Sequence, residues 1–118
     1  SMFASIYRKL LPGIFLILSS TAWAADSYYI DVRTDDEFNS GHVSVAHHIP
    51  YDEIAQGISE ITADRDAEIF LYCRSGKRAG LALEVLEEMG YTNVHNLLSL
   101  EEARIHASKN AESNLIFD

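Results

Sequence analysis

From residue 26 onward, apolar positions fall alternately into short continuous runs and helix-period stripes. "YYIDV" (28–32) is β-rich and ends at the polar "RTDDEF". Thr34 is placed to cap a short helix over 35–40, with Asp35, Asp36 and Glu37 in its first turn and Gly41 at its end. "VSVAHHIP" (43–50) reads as a brief strand closed by Pro50. Over 51–62, Ile54, Ile58 and Ile61 recur at helical spacing. "AEIFLYC" (67–73) is a continuous apolar run bounded by charge, the pattern of a central strand buried on both faces. "KRAGLALEVLEEMG" (77–90) sets Leu81, Val85, Leu86 and Met89 on one stripe and stops at Gly90. "TNVHNL" (92–97) is a further strand, and "SLEEARIHASKN" (99–110) a last helix capped by Ser99. This alternation predicts an α/β fold, a parallel sheet with helices on both faces.

The first residues carry a different pattern. Ser1 before Met2 reads as a tag remnant. Arg8 and Lys9 precede the apolar "LLPGIFLIL", and small residues follow with an A-x-A site at Ala22 and Ala24. This is the layout of a secretory signal peptide over 1–25, with 26–118 as one domain and the bacterial periplasm as the simplest destination. A retained membrane anchor is the alternative. The run falls short of the roughly 20 apolar residues that spanning needs, and Pro12, Gly13, Ser19 and Ser20 interrupt it.

Net charge is −9 over the chain. The leader holds two of the nine Lys/Arg and none of the eighteen Asp/Glu, so the domain has seven basic residues against eighteen acidic, a balance of −11. Nucleic acid needs a basic footprint and is excluded as a partner. Three of those seven basic residues stand within Cys73–Arg78, beside the one cysteine of the chain. A single cysteine forms no intramolecular disulfide and no cysteine metal cluster.

A lone cysteine often merely packs in a core. Here the apolar run stops at Cys73, and Arg74, Ser75, Gly76, Lys77 and Arg78 follow at once. The position is the carboxyl end of a predicted central strand, where open α/β sheets bind ligands. A helix begins about four residues later, so loop amides and the positive end of its dipole face whatever sits there. Amides, dipole and cations all favour thiolate over thiol. A drop of about 2 pKa units from a free cysteine corresponds to roughly 2.7 kcal/mol. Gly76 lets the loop curl around the sulfur, and the three cations draw in an anion.

Three segments in order, "IDVRTDDEFNSGHVSVAHHIP" (30–50), "YCRSGKRAG" (72–80) and "LEEMGYTNVHNL" (86–97), make the chain resemble the single-domain rhodanese family over about residues 28–97. The resemblance implies a rhodanese-like sheet and a thiosulfate sulfurtransferase without a cofactor or metal. It implies that Cys73 becomes a persulfide, with the backbone amides of Arg74 through Arg78 holding the outer sulfur. Thiosulfate would be the anionic donor, and cyanide or a thiol the acceptor, in a ping-pong sequence. Asp31 and Arg33 would fix loops near the site; a surface ion pair worth roughly 0–1 kcal/mol is the plainer reading. Glu37 reads most simply as a first-turn helix charge. Gly41–His42 belongs to the family pattern, with His42 either a proton carrier or a hydrogen-bonded structural histidine. His47 and His48 are adjacent on a strand, face opposite ways, and are no metal pair.

Phosphatases need an arginine six positions after the cysteine; Ala79 stands there, and Arg78 comes one earlier. That leaves phosphatase or arsenate-reductase chemistry as a lesser alternative. The chief alternative is a carrier or sensor domain whose Cys73 takes a persulfide from a protein partner. Two departures from the family stand out. "VSVA" (43–46) lacks a glycine before Ala46, and Leu98-Ser99-Leu100 replaces the Gly-Gly that commonly follows "NVHNL". The second bears on the loop bordering the site and on acceptor preference.

Overall fold

The computed structural model describes residues 26–117, so the predicted signal peptide lies outside the described residues. In chain order it has β1 (Ser27–Asp31), α1 (Asp35–Ser40), β2 (His47–His48), a 3-10 turn (Tyr51–Glu53) running into α2 (Ile54–Ile61), β3 (Glu68–Cys73), α3 (Lys77–Glu88), β4 (Val94–Ser99) and α4 (Leu100–Phe117). The four strands form one parallel sheet in the order β2-β1-β3-β4. The α/β class and the parallel sheet are as predicted.

Alternation along the central strand sorts the core. Ile69, Leu71 and Cys73 of β3 join Ile30, Val32, Ile54, Ile58, Ala79, Ala82 and Leu86, so α2 and α3 cover one face. Tyr72 points the other way and packs with Val43 and Ala103, under α4. The last helix is held there by small side chains, Ala103 and Ala107, and by polar contacts. Tyr29 Oη lies 2.7 Å from His106 Nδ1 and accepts a hydrogen bond from Asn110 at 3.0 Å.

Several boundaries differ from the pattern-based reading. Only His47–His48 of the 43–50 segment pairs as strand, because Val43 to Ala46 closes a turn (Ala46 N to Val43 O, 2.9 Å). The strand predicted over 92–97 runs over Val94–Ser99. Ser99 does cap α4, accepting from Glu102 N at 3.2 Å, but the helix continues to Phe117 rather than ending near 110. Leu81 is corrected off the core stripe: it is 45% exposed, and the buried row of α3 is Ala79, Ala82 and Leu86. The helix starts beneath the Cys73 loop, which rotates its small residues inward and carries Leu81 to the surface.

Leu86→Ala should therefore cost about 2–5 kcal/mol in urea unfolding, whereas Leu81→Ala should stay within about 0.5 kcal/mol. Equal losses would contradict this helix phase.

Candidate active site

The chain leaves β1 toward β2 on one side and β3 toward β4 on the other, so the neighbours β1 and β3 part at their carboxyl ends. That switch of direction opens a crevice. Val32 N donates to Tyr72 O at 3.0 Å, which brings the exits of the two strands level. A cavity of about 460 Å³ lies there, with Cys73 and Arg74 lining it from the β3 side.

Cys73 ends β3, and Gly76 turns the chain at φ +102°, in the left-handed region, before α3 begins. Gly76 N donates to Cys73 Sγ at 2.9 Å. Burial pushes the thiol up, but the amides of Ala79, Gly76, Ser75 and Arg78 outweigh it and hold Cys73 below its ordinary 9.0. A Cβ at Gly76 would lie 2.7 Å from Leu98 Cδ2. Asn96 Nδ2 donates to Gly76 O at 2.9 Å and accepts from Leu98 N at 2.9 Å through Oδ1, so β4 braces the loop from outside. Leu98 itself sits at φ +74°. It keeps a backbone shape suited to glycine, at a cost of about 1–2 kcal/mol.

Asp31 and Arg33 are buried, which corrects the reading of a surface ion pair. Arg33 Nη2 donates to Asp31 Oδ2 at 2.7 Å and to the Gly41 carbonyl at 2.7 Å, and Arg33 Nε reaches both Asp31 oxygens. The Tyr72 ring lies 5.5 Å from the guanidinium, and burial pushes the Tyr72 hydroxyl up to about 12. Arg33 lines the cavity wall.

Of the three loop cations predicted to meet an anion, the structure leaves one in the cavity lining. Arg78 is committed to Glu37 by a bidentate pair, Nη1–Oε1 2.7 Å and Nη2–Oε2 3.1 Å. Lys77 is exposed outside the lining, whereas Arg74 belongs to it. Glu37 is thus more than a helix-end charge. It closes a capping box with Thr34 and clamps α1 to the Cys73 loop. The Arg78 guanidinium holds its carboxyl at about 2. His42 has its Nδ1 2.7 Å from Phe38 O and its ring stacked on Phe38 at 3.6 Å, contacts that favour the structural reading, and it does not line the cavity. Sequence reasoning missed the Ala79 amide and, from α4, Arg104 in the cavity wall. No local pattern could have placed Arg104, which stands far along the chain from Cys73.

Comparison with known proteins gives the family. Residues 18–99 match the rhodanese-like domain. The chain belongs to the rhodanese family. It is 34% identical over 97 residues to thiosulfate sulfurtransferase PspE of Escherichia coli K12, a match covering 82% of this chain and 92% of that protein. It is 39% identical over 72 residues to a sulfurtransferase of Allochromatium vinosum, 61% of this chain and 65% of that protein. A solved rhodanese with anions from E. coli aligns with a TM-score of 0.62 at 36% identity, over 64% of this chain and 89% of its own.

The clamp in this rhodanese makes a pH-dependent contribution. Because Glu37 titrates lower folded (about 2) than at its ordinary 4.5, its contribution is complete above pH 4.5 and disappears as pH falls through about 2. Glu37→Gln should lower the urea midpoint at pH 7, and the gap from wild type should close between pH 4.5 and 2. A gap independent of pH would rule out the ion pair as its source.

Proposed function

We propose that the chain is a thiosulfate sulfurtransferase that works through a persulfide on Cys73. The observation that carries this reading is the buried thiol at the end of β3, held by backbone amides and lining the floor of an open cavity. Such a cradle favours thiolate over thiol, so attack needs no general base. Cys73 thiolate attacks the outer sulfur of thiosulfate. The sulfur–sulfur bond of the donor breaks, its electron pair leaves with sulfite, and a new bond joins Sγ to the outer sulfur. Cyanide or a thiolate then takes that sulfur, restoring the Cys73 thiolate. The terminal persulfide sulfur is also an anion, and the amides of Ser75, Gly76, Arg78 and Ala79 suit it. Two anions must meet in the first step. At an effective dielectric of about 20, one cation about 6 Å away offsets roughly 2.8 kcal/mol of that repulsion, a role that falls to Arg74 among the loop cations.

Arg78, the loop arginine one position short of the phosphatase fork, is engaged by Glu37, which speaks against phosphatase or arsenate-reductase chemistry. Residues 26–118 would act as one domain behind a cleaved signal at 1–25, in the periplasm. Among the described residues no helix is long and apolar enough to cross a membrane. Intact mass of protein recovered from a periplasmic fraction should lack the leader, and full-length mass there would refute cleavage.

The thiosulfate:cyanide assay tests the activity. Wild type should form thiocyanate, and Cys73→Ser should abolish it while still folding. Folded, reduced wild type that forms none would reject thiosulfate as donor and leave a carrier domain loaded by a protein partner.

A further inference from the structure

The cations around the thiol are unequally engaged. Arg33 is taken by Asp31, and Arg78 by Glu37. Arg74 and Arg104 also line the cavity, and neither takes part in an ion pair among the described residues. Glu101 stands one helical turn before Arg104 and shares the wall, yet the two form no pair.

The place of Arg104, an exposed residue of α4, is set by its neighbours. Its neighbour Ala103 is fully buried against Val43 and Tyr72, which anchors the first turns of α4 beside the cavity. Its guanidinium reaches across to the β1–β2 connection. A Cβ built on Gly41 would lie 3.3 Å from Arg104 Nη2, so the bare glycine, at φ +148°, leaves the room that the guanidinium uses. The same Gly41 offers its carbonyl to Arg33, so the guanidinium groups of Arg33 and Arg104 both come up against one residue of the cavity wall. The match to the family ends at Ser99, before α4 begins, so the family pattern assigns nothing to this residue.

We propose that Arg104 is a donor-specificity residue, which together with Arg74 binds the anionic end of the sulfur donor while its outer sulfur enters the amide cradle. For thiosulfate that end is the sulfonate, and this deepening rests on the thiosulfate reading above. A planar guanidinium suits an oxyanion through two parallel N–H donors, and an unengaged one keeps those donors available. An acidic domain that repels anions overall gains most from a local cation at the point of entry.

The test uses the full chain, with Arg104→Gln, Arg104→Lys, and Lys109→Gln as a control that removes the same charge from the same helix outside this cavity. Arg104→Gln should raise KM for thiosulfate roughly ten-fold or more, with kcat at saturation within about two-fold, because a charge-assisted contact is lost before the chemical step. Arg104→Lys should recover part of the loss, and Lys109→Gln should stay close to wild type. A second readout needs no turnover. The ratio of Cys73 alkylation rates by iodoacetate and by iodoacetamide, equal in chemistry but not in charge, should fall several-fold in Arg104→Gln alone. An unchanged ratio overturns the proposal whatever the assay gives, and so does an unchanged KM in an active enzyme. An inactive wild type with a lowered ratio removes thiosulfate as donor and keeps Arg104 as the anion-recognising group.

Discussion

A carboxylate that exposes no surface must have its charge answered on the spot, and Arg33 answers Asp31 with two side-chain nitrogens and its own backbone N–H. Breaking such a pair from one side costs about 3–5 kcal/mol, because the charge left behind stays buried. The constraint spreads outward. Having bound Asp31, Arg33 also grips the carbonyl of Gly41, so the chain beyond α1 is pinned to the exit of β1. Tyr72, opposite Asp31 in the strand register, lies beneath the guanidinium and takes Val43 N on its hydroxyl. The wall facing the thiol therefore stands where one buried ion pair puts it.

With that wall in place, the thiol is tuned mainly by backbone groups. Burial works against the thiolate and four amides more than reverse it, whereas the loop arginine expected to help is spent on Glu37. Fixed amides need no side-chain ordering to point at the sulfur. Division of labour follows from this. The backbone favours the thiolate of Cys73, Arg78 joins α1 to α3, and Arg74 and Arg104 line the cavity.

Leu98 shows how the fold absorbs a departure from its family. The backbone is left-handed at the end of β4 although leucine stands there, and the hydrogen bonds from Asn96 to Gly76 O and from Leu98 N to Asn96 hold the geometry against that strain. The exposed leucine then roofs Gly76, adding an apolar edge beside the Cys73 loop.

Chain-local patterns determined the order of strands and helices, the parallel sheet, the Thr34 and Ser99 caps, and the thiol at a strand end wrapped by its own following loop. Each of these is written in residues a few positions apart, where backbone geometry leaves few alternatives. The tertiary structure alone decided the rest. Glu37 and Arg78 are 41 residues apart and meet only because β1 and β3 are neighbours. Arg104 reaches the cavity only because α4 returns over the face that Tyr72 and Val43 present. Burial decided between the two readings left open for Asp31 and Arg33 in favour of the structural one, and the docking of α3 beneath the loop moved Leu81 outward. Hydrophobic periodicity says that a helix has an apolar side. The sheet it packs against determines which residues that side is made of, and which charged groups are left facing one another.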